Sequence, residues 1–273
     1  MEGQWASLMS ELLSDVFGRL PFEERLTTVP LVCKAWRTAS LETACWRNVD
    51  MEPWINAKSE MDYGWEFDCK EELEAVVKLV VDRSHGHLRQ LRTMYCSNES
   101  VRYIAENCPL LTDLSIAESF LVEDESAIVL AEKCRRIENL DLSDCYVLTT
   151  RSLEVFGRNC CSLISFSRNM LRSHEFSGLD FPDGDQEAVT ISSHMRALKH
   201  LELKKSNSLT DMGLMHIAKE CRNLESLNIA CCTAVSPGAL EKVSSMCPKL
   251  KEFVKPVNPR VTVSQKLMWM LWD

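Results

Sequence analysis

The stretch Ile137 to Cys160, reading IENLDLSDCYVLTTRSLEVFGRNC, decides the fold. Ile137, Leu140 and Leu142 turn inward over a short extended segment, and Asn139 and Asp141 point the other way. The period then changes. Leu148, Leu153 and Phe156 recur at helical spacing, with Gly157 near the helix end. A strand and a helix this short cannot each bury an apolar face alone, so the unit needs copies of itself on either side.

The copies are present. Cys108, Cys134 and Cys160 stand 26 residues apart, and Cys221 and Cys247 resume the same step. Each leads an apolar signature, such as Leu111-x-x-Leu114-x-Ile116 or Leu224-x-x-Leu227-x-Ile229, with shorter forms at Leu163-x-x-Phe166 and Leu250-x-x-Phe253. Leu88-x-x-Leu91-x-Thr93 and Leu198-x-x-Leu201-x-Leu203 repeat it without the leading cysteine. A fixed period of this kind marks a solenoid, which binds partners more often than it turns over substrates. Cys145 and Cys232 close their units at one position, where Leu198 to Cys221 has Ser206. The pattern resembles the cysteine-containing leucine-rich repeats. It implies an α/β solenoid of about seven repeats over 86–258, with short parallel strands on the concave face and helices on the convex face.

One step is too long. Leu163 and Leu198 are 35 residues apart, and the excess falls in 172–187, rich in Gly, Pro and acids. That composition predicts a solvated, negative loop carrying Glu175, Asp180, Asp183, Asp185 and Glu187. Phe176, Leu179 and Phe181 are out of place in a mere spacer, and Phe176 and Phe181 are candidate target contacts. The same repeat puts Arg168 where an inward apolar residue belongs.

Residues 1–49 lack the repeat. Leu8, Leu12, Leu13, Val16, Phe17 and Leu20 fit one helix face, which Pro21 ends. A second apolar segment runs from Leu26 to Trp36, and Trp46 closes the unit. So small and apolar a helical unit shares its surface with a partner. The string from Glu11 to Pro21, ELLSDVFGRLP, followed by LVCKAWR at Leu31–Arg37 and by Trp46, resembles an F-box. Leu8-Met9 stands where that family has Leu-Pro.

An F-box ahead of such repeats resembles the substrate receptors of Skp/cullin/F-box ubiquitin ligases. Val80 to Ser84, VVDRS, and Arg168-Asn169 narrow the likeness to small plant F-box/leucine-rich-repeat proteins of the Skp-interacting-partner type. The resemblance implies that the F-box binds a Skp-type adaptor, and through it a cullin, while the repeats bind a target protein for ubiquitination. The implied adaptor-binding residues are Leu8, Leu12, Leu13, Phe17 and Leu20, then Pro21, Leu31, Val32, Trp36 and Trp46. On the concave face, strand alternation offers Arg92, Asp113, Asn139 and Asp141, then Ser167, His200, Glu202 and Asn228, to the target. The alternative is a repeat scaffold acting outside a ubiquitin ligase.

Between the two regions, 50–85 begins with nine acids against Lys58 and Lys70 up to Glu74, interrupted by Trp54, Tyr63, Trp65 and Phe67. Four aromatics predict packing as an N-terminal cap on the first repeat. The tail 259–273, ending in LMWMLWD, is expected to cap the other end, the alternative being that it folds back onto the concave wall.

The remaining expectations are absences. A net charge of −9 opposes a phosphate-binding surface, so no nucleic-acid partner is expected. No apolar run reaches the length of a membrane span, and the N-terminus lacks a signal-peptide layout, which predicts the cytoplasm or nucleus. The thirteen cysteines, seven of them at two repeat positions, read as small buried hydrophobes rather than as disulfides, metal ligands or a catalytic thiol. Neither a phosphate loop nor a nucleophile elbow is present, and a non-enzyme without a cofactor is expected.

Overall fold

The computed structural model describes residues 9–61, 70–171 and 182–256. Two compact units divide the chain between Leu163 and Ile164, inside the one oversized repeat step. Leu8, Phe176, Phe181 and the tail 259–273 lie outside the described residues.

The first unit opens with four short helices: α1 (Ser10–Phe17), α2 (Phe22–Thr27), α3 (Val29–Val32) and α4 (Lys34–Ala39). A 3-10 turn at Thr43–Trp46 leads into strand β1 (Asn48–Asp50). Helices α5 (Glu52–Met61) and α6 (Lys70–Ser84) follow. The repeats then alternate: β2 (Gln90–Met94), α7 (Asn98–Asn107), β3 (Asp113–Ala117), α8 (Asp124–Lys133), β4 (Asn139–Asp141) and α9 (Thr150–Asn159). β1 to β4 pair in parallel and in sequence order, aligning Val49, Leu91, Leu114 and Leu140 in one buried row. A strand from the F-box segment thus joins the repeat sheet, so the two regions share one core.

The second unit repeats the pattern with β5 (Ser165–Ser167), α10 (Gly184–His194), β6 (His200–Glu202), α11 (Asp211–Glu220), β7 (Ser226–Asn228), α12 (Pro237–Met246) and β8 (Glu252–Val254). Phe166, Leu201, Leu227 and Phe253 form its central row. The fold is the α/β repeat architecture that the period implies.

Three side-chain ladders explain the repeat signature. The leading cysteine is the C-cap of the preceding helix: the N–H groups of Cys108, Cys134, Cys160, Cys221 and Cys247 each close the last helical turn. The Cys134 thiol then reaches back to the Cys108 carbonyl at 3.3 Å, and the Cys160 thiol to that of Cys134 at 3.7 Å. The closing cysteines do the same one strand away, Cys145 to the Ile116 carbonyl at 3.3 Å and Cys232 to that of Leu203 at 2.9 Å. These thiols are weak donors that satisfy buried carbonyls at little desolvation penalty. Burial pushes Cys96, Cys108, Cys134, Cys160 and Cys221 up to about 12. All twelve described cysteines are free thiols.

The third ladder ties each helix start to the next. Asn98 accepts from the Glu123 N–H at 2.9 Å, Asp124 from that of Thr149 at 2.9 Å, Asp185 from that of Thr210 at 2.8 Å, and Asp211 from that of Ser236 at 2.7 Å. Each acceptor occupies the first helical turn of its own repeat and holds the N-cap of the following one. Asp185 also accepts from the Gly213 N–H at 3.0 Å, and a Cβ at position 213 would lie 2.5 Å from that carboxylate. Glycine is required there by close approach.

This ladder corrects the reading of 172–187 as a solvated loop to its end. Helix α10 begins at Gly184, with Asp183 as its N-cap accepting from the N–H groups of Asp185 and Gln186. Asp185 joins the ladder, and Glu187 is buried. Three of the five acids therefore have structural partners or caps.

Candidate functional site

The F-box motif divides into a buried half and an exposed half. Leu13 and Phe17, four residues apart on α1, face inward, and Trp46 is fully buried. Trp46 Nε1 donates to the Ser40 carbonyl at 2.8 Å, and the Arg83 guanidinium of α6 stacks 4.7 Å from its ring centroid. These three cannot touch an adaptor in this fold; they are corrections to the set implied by the sequence. Their apolar character serves the internal core instead.

On its outer face, α1 shows Leu12 and Val16, again four residues apart. Pro30 sits in the first turn of α3, and Cys33 is fully extended, which breaks the LVCKAWR string in two. Before the break, Leu31 is 84% exposed and Val32 53%. After it, α4 turns Trp36 back against Phe17, with ring centroids 4.9 Å apart, leaving Trp36 half-buried. Leu20 is half-buried and Pro21 exposed. Helices α1 and α3 both pack on α4.

Sequence reasoning missed Arg25, which holds this platform. Its Nε donates to the Leu20 carbonyl and one terminal nitrogen donates to those of Cys45 and Asn48, all at 2.8 Å. Burial lowers its pKa, and the Asp50 carboxylate opposes that. No signal in the sequence marked it, because Glu23 and Glu24 beside it make it read as an ordinary surface charge.

The strand face carries the other candidates. In the first unit, Arg92, Asp113, Asn139 and Asp141 all stand on the polar side of their strands. Arg92 is engaged by Glu52 of α5 at 3.0 Å, and the same carboxylate accepts from the Ser115 hydroxyl at 2.9 Å. Helix α5 thus sets a carboxylate over β2 and β3, while the Arg92 side chain remains 42% exposed. Asn139 donates to Asp113 at 2.7 Å, so these two are mutually positioned. Burial raises the Asp141 pKa, against hydrogen bonds from Ser143.

In the second unit, Ser167, Glu202 and Asn228 are half-buried and His200 is exposed. Glu202 accepts from Asn169 at 3.2 Å and pairs with Lys204 at 2.8 Å. Arg168 is fully buried and paired with Glu187, both Nε and a terminal nitrogen lying 3.0 Å from Oε1. Burial raises the Glu187 pKa, and the Arg168 charge opposes it. An arginine in an apolar register demanded a carboxylate; the acid-rich insertion supplied it. Among the described residues no cluster is arranged to hold a metal ion, and no helix is long and apolar enough to cross a membrane.

Comparison with known proteins agrees with this geometry. Residues 5–52 match the F-box-like family. The chain is 33% identical to F-box protein SKIP1 of Arabidopsis thaliana, over 92% of this chain and 87% of that protein. It is 38% identical to F-box/LRR-repeat protein 19 of the same plant, covering 95% of this chain and 90% of the relative. F-box protein FBW2, also from Arabidopsis thaliana, is 32% identical over 84% of this chain and 68% of its own length. The exposed F-box helices, the repeat ladders and these relatives lead to one conclusion: the chain belongs to the plant F-box/leucine-rich-repeat proteins.

Proposed function

We propose that this protein is the substrate-recognition subunit of a Skp/cullin/F-box ubiquitin ligase. Leu12, Val16, Leu31 and Val32 dock a Skp-type adaptor, which carries the cullin. The repeat surface holds an unidentified target protein for ubiquitination. The subunit positions the target and performs no chemistry itself, working in the cytoplasm or nucleus. The observation that carries this reading is the exposure of Leu31 and Val32 on a helix that buries Val29 and packs on α4. Aliphatic side chains held in water on a rigid support are stabilised only when a partner covers them.

Co-expression with a Skp-type adaptor tests it. A stoichiometric complex is expected on size-exclusion chromatography. Failure to form one would sink this reading and favour a scaffold acting outside a ligase.

A further inference from the structure

The first strand of the repeats and the last are finished differently. Ahead of β2, the F-box segment supplies what an inner repeat would: the N–H groups of Arg89 and Gln90 both donate to the Arg47 carbonyl, and Leu91 is fully buried. The same carbonyl position takes two N–H groups at each step of the second unit. Ile164 accepts from Lys199 and His200, Lys199 from Glu225 and Ser226, and Glu225 from Lys251 and Glu252. The next carbonyl in this series is that of Lys251, and among the described residues nothing donates to it.

The side chains of the last repeat agree. Leu240, Leu250 and Phe253 are half-buried, whereas Leu214, Leu224 and Leu227, each 26 residues earlier, are fully buried. One register is being compared with itself, so the difference comes from what lies beyond each row and not from residue type. An inner row is covered by the row after it. Strand β8 pairs with β7 and ends the sheet order, and Lys255 lies over the Phe253 ring, 5.2 Å from its centroid. The repeats themselves therefore leave an apolar end face on β8 and α12 uncovered.

Beyond Pro256 the sequence continues through 257–273 and holds the run LMWMLW at 267–272. Six consecutive large apolar side chains are far more than a solvated tail needs. We infer that the segment 257–273 docks on the open end of the solenoid, its 267–272 run covering Leu240, Leu250 and Phe253. Being tethered next to β8, the segment meets that face at an effective concentration on the order of millimolar, an advantage that neither a second copy nor a target has. Its reach suffices, since 17 extended residues span about 55 Å against roughly 10 Å between packed layers. The concave side competes poorly, because Ser167, His200, Glu202 and Asn228 present it with polar groups. This inference is independent of the receptor reading: a scaffold outside a ligase would close its end in the same way.

The test is photocrosslinking in the full chain, with p-benzoylphenylalanine in place of Phe253. Crosslinks from position 253 to residues 266–272 are expected within one molecule, at the monomer mass under denaturing conditions. Trp269→Ser/Trp272→Ser should cut their yield at least about tenfold, as loss of buried aromatic anchors does. Hydrogen exchange, with Phe253 left in place, gives a second reading. There the same double variant should speed exchange of the 250–254 amides at least about tenfold, while those of β6 keep their wild-type rate. Leu41→Ser, on the F-box surface, should move neither reading. Crosslinks to a second copy, crosslinks confined to His200, Glu202 and Asn228, or no crosslink in a protein of wild-type circular dichroism overturns the inference. So does unchanged exchange at 250–254 in the double variant.

Discussion

From Leu88 to Leu163, every signature leucine and isoleucine of the first unit's repeats is buried, whereas α1 and α3 of the F-box leave Leu12, Val16, Leu31 and Val32 in water. Both regions are equally apolar on paper. What separates them is recurrence. A residue that returns at each repeat stacks on its own kind, and the stack excludes water whatever else binds. An apolar residue outside any repeat has no such guarantee. Covering one such side chain is worth about 1.5–3 kcal/mol, and in the F-box that gain is left for a partner. Substitutions in the repeats should therefore alter stability, and those on the F-box surface should alter association.

The largest effect is expected at the buried ion pair. Arg168→Leu strands the Glu187 carboxylate and should destabilise the protein by about 3–5 kcal/mol in urea unfolding. Adding Glu187→Leu should recover most of that. A single variant as stable as wild type would show that the second unit does not depend on this pair. Cys134→Ser should come next, at about 1–3 kcal/mol, because a hydroxyl replaces a nearly apolar thiol 3.3 Å from the Cys108 carbonyl. An unchanged unfolding midpoint would mean that the thiol ladder is incidental.

The ladder also implies a pH dependence. Burial holds the repeat thiols protonated up to about 12, above the ordinary thiol value of about 8.5. Below that ordinary value both folded and unfolded chains keep the proton, and the stabilisation is fully present. Above it the unfolded chain releases protons that the folded chain retains, so stability falls as pH rises toward about 12. The urea midpoint should decline steadily from pH 9 upward, and a flat profile through pH 11 would contradict the burial of these thiols.

The repeats were legible in the sequence because their period is longer than any accident. The role of the leading cysteine as a helix C-cap was not, since a spacing names a position without naming its backbone geometry. Arg168 was visible as a misfit, but its partner was not: Glu187 lies in a segment whose composition reads as loop, and only the helix from Gly184 turns it inward. In the F-box, the motif letters located the unit correctly but could not divide its apolar residues between core and surface. That division depends on the extended backbone at Cys33, which turns Trp36 inward and leaves Leu31 and Val32 outside. Likewise, Arg92 alternated correctly onto the polar face, yet its partner Glu52 comes from α5, outside the repeat.

The most direct test of the division is a titration of the Leu31→Ser/Val32→Ser protein against a Skp-type adaptor, paired with its unfolding curve. The exposed positions should leave stability within about 0.5 kcal/mol of wild type, since more than half of each side chain is in solvent. Affinity for the adaptor should fall at least about tenfold, as expected when interface-centre aliphatics are lost. Wild-type affinity in that variant, or a loss of affinity that merely tracks unfolding, would contradict the claim that the F-box keeps these side chains for a partner.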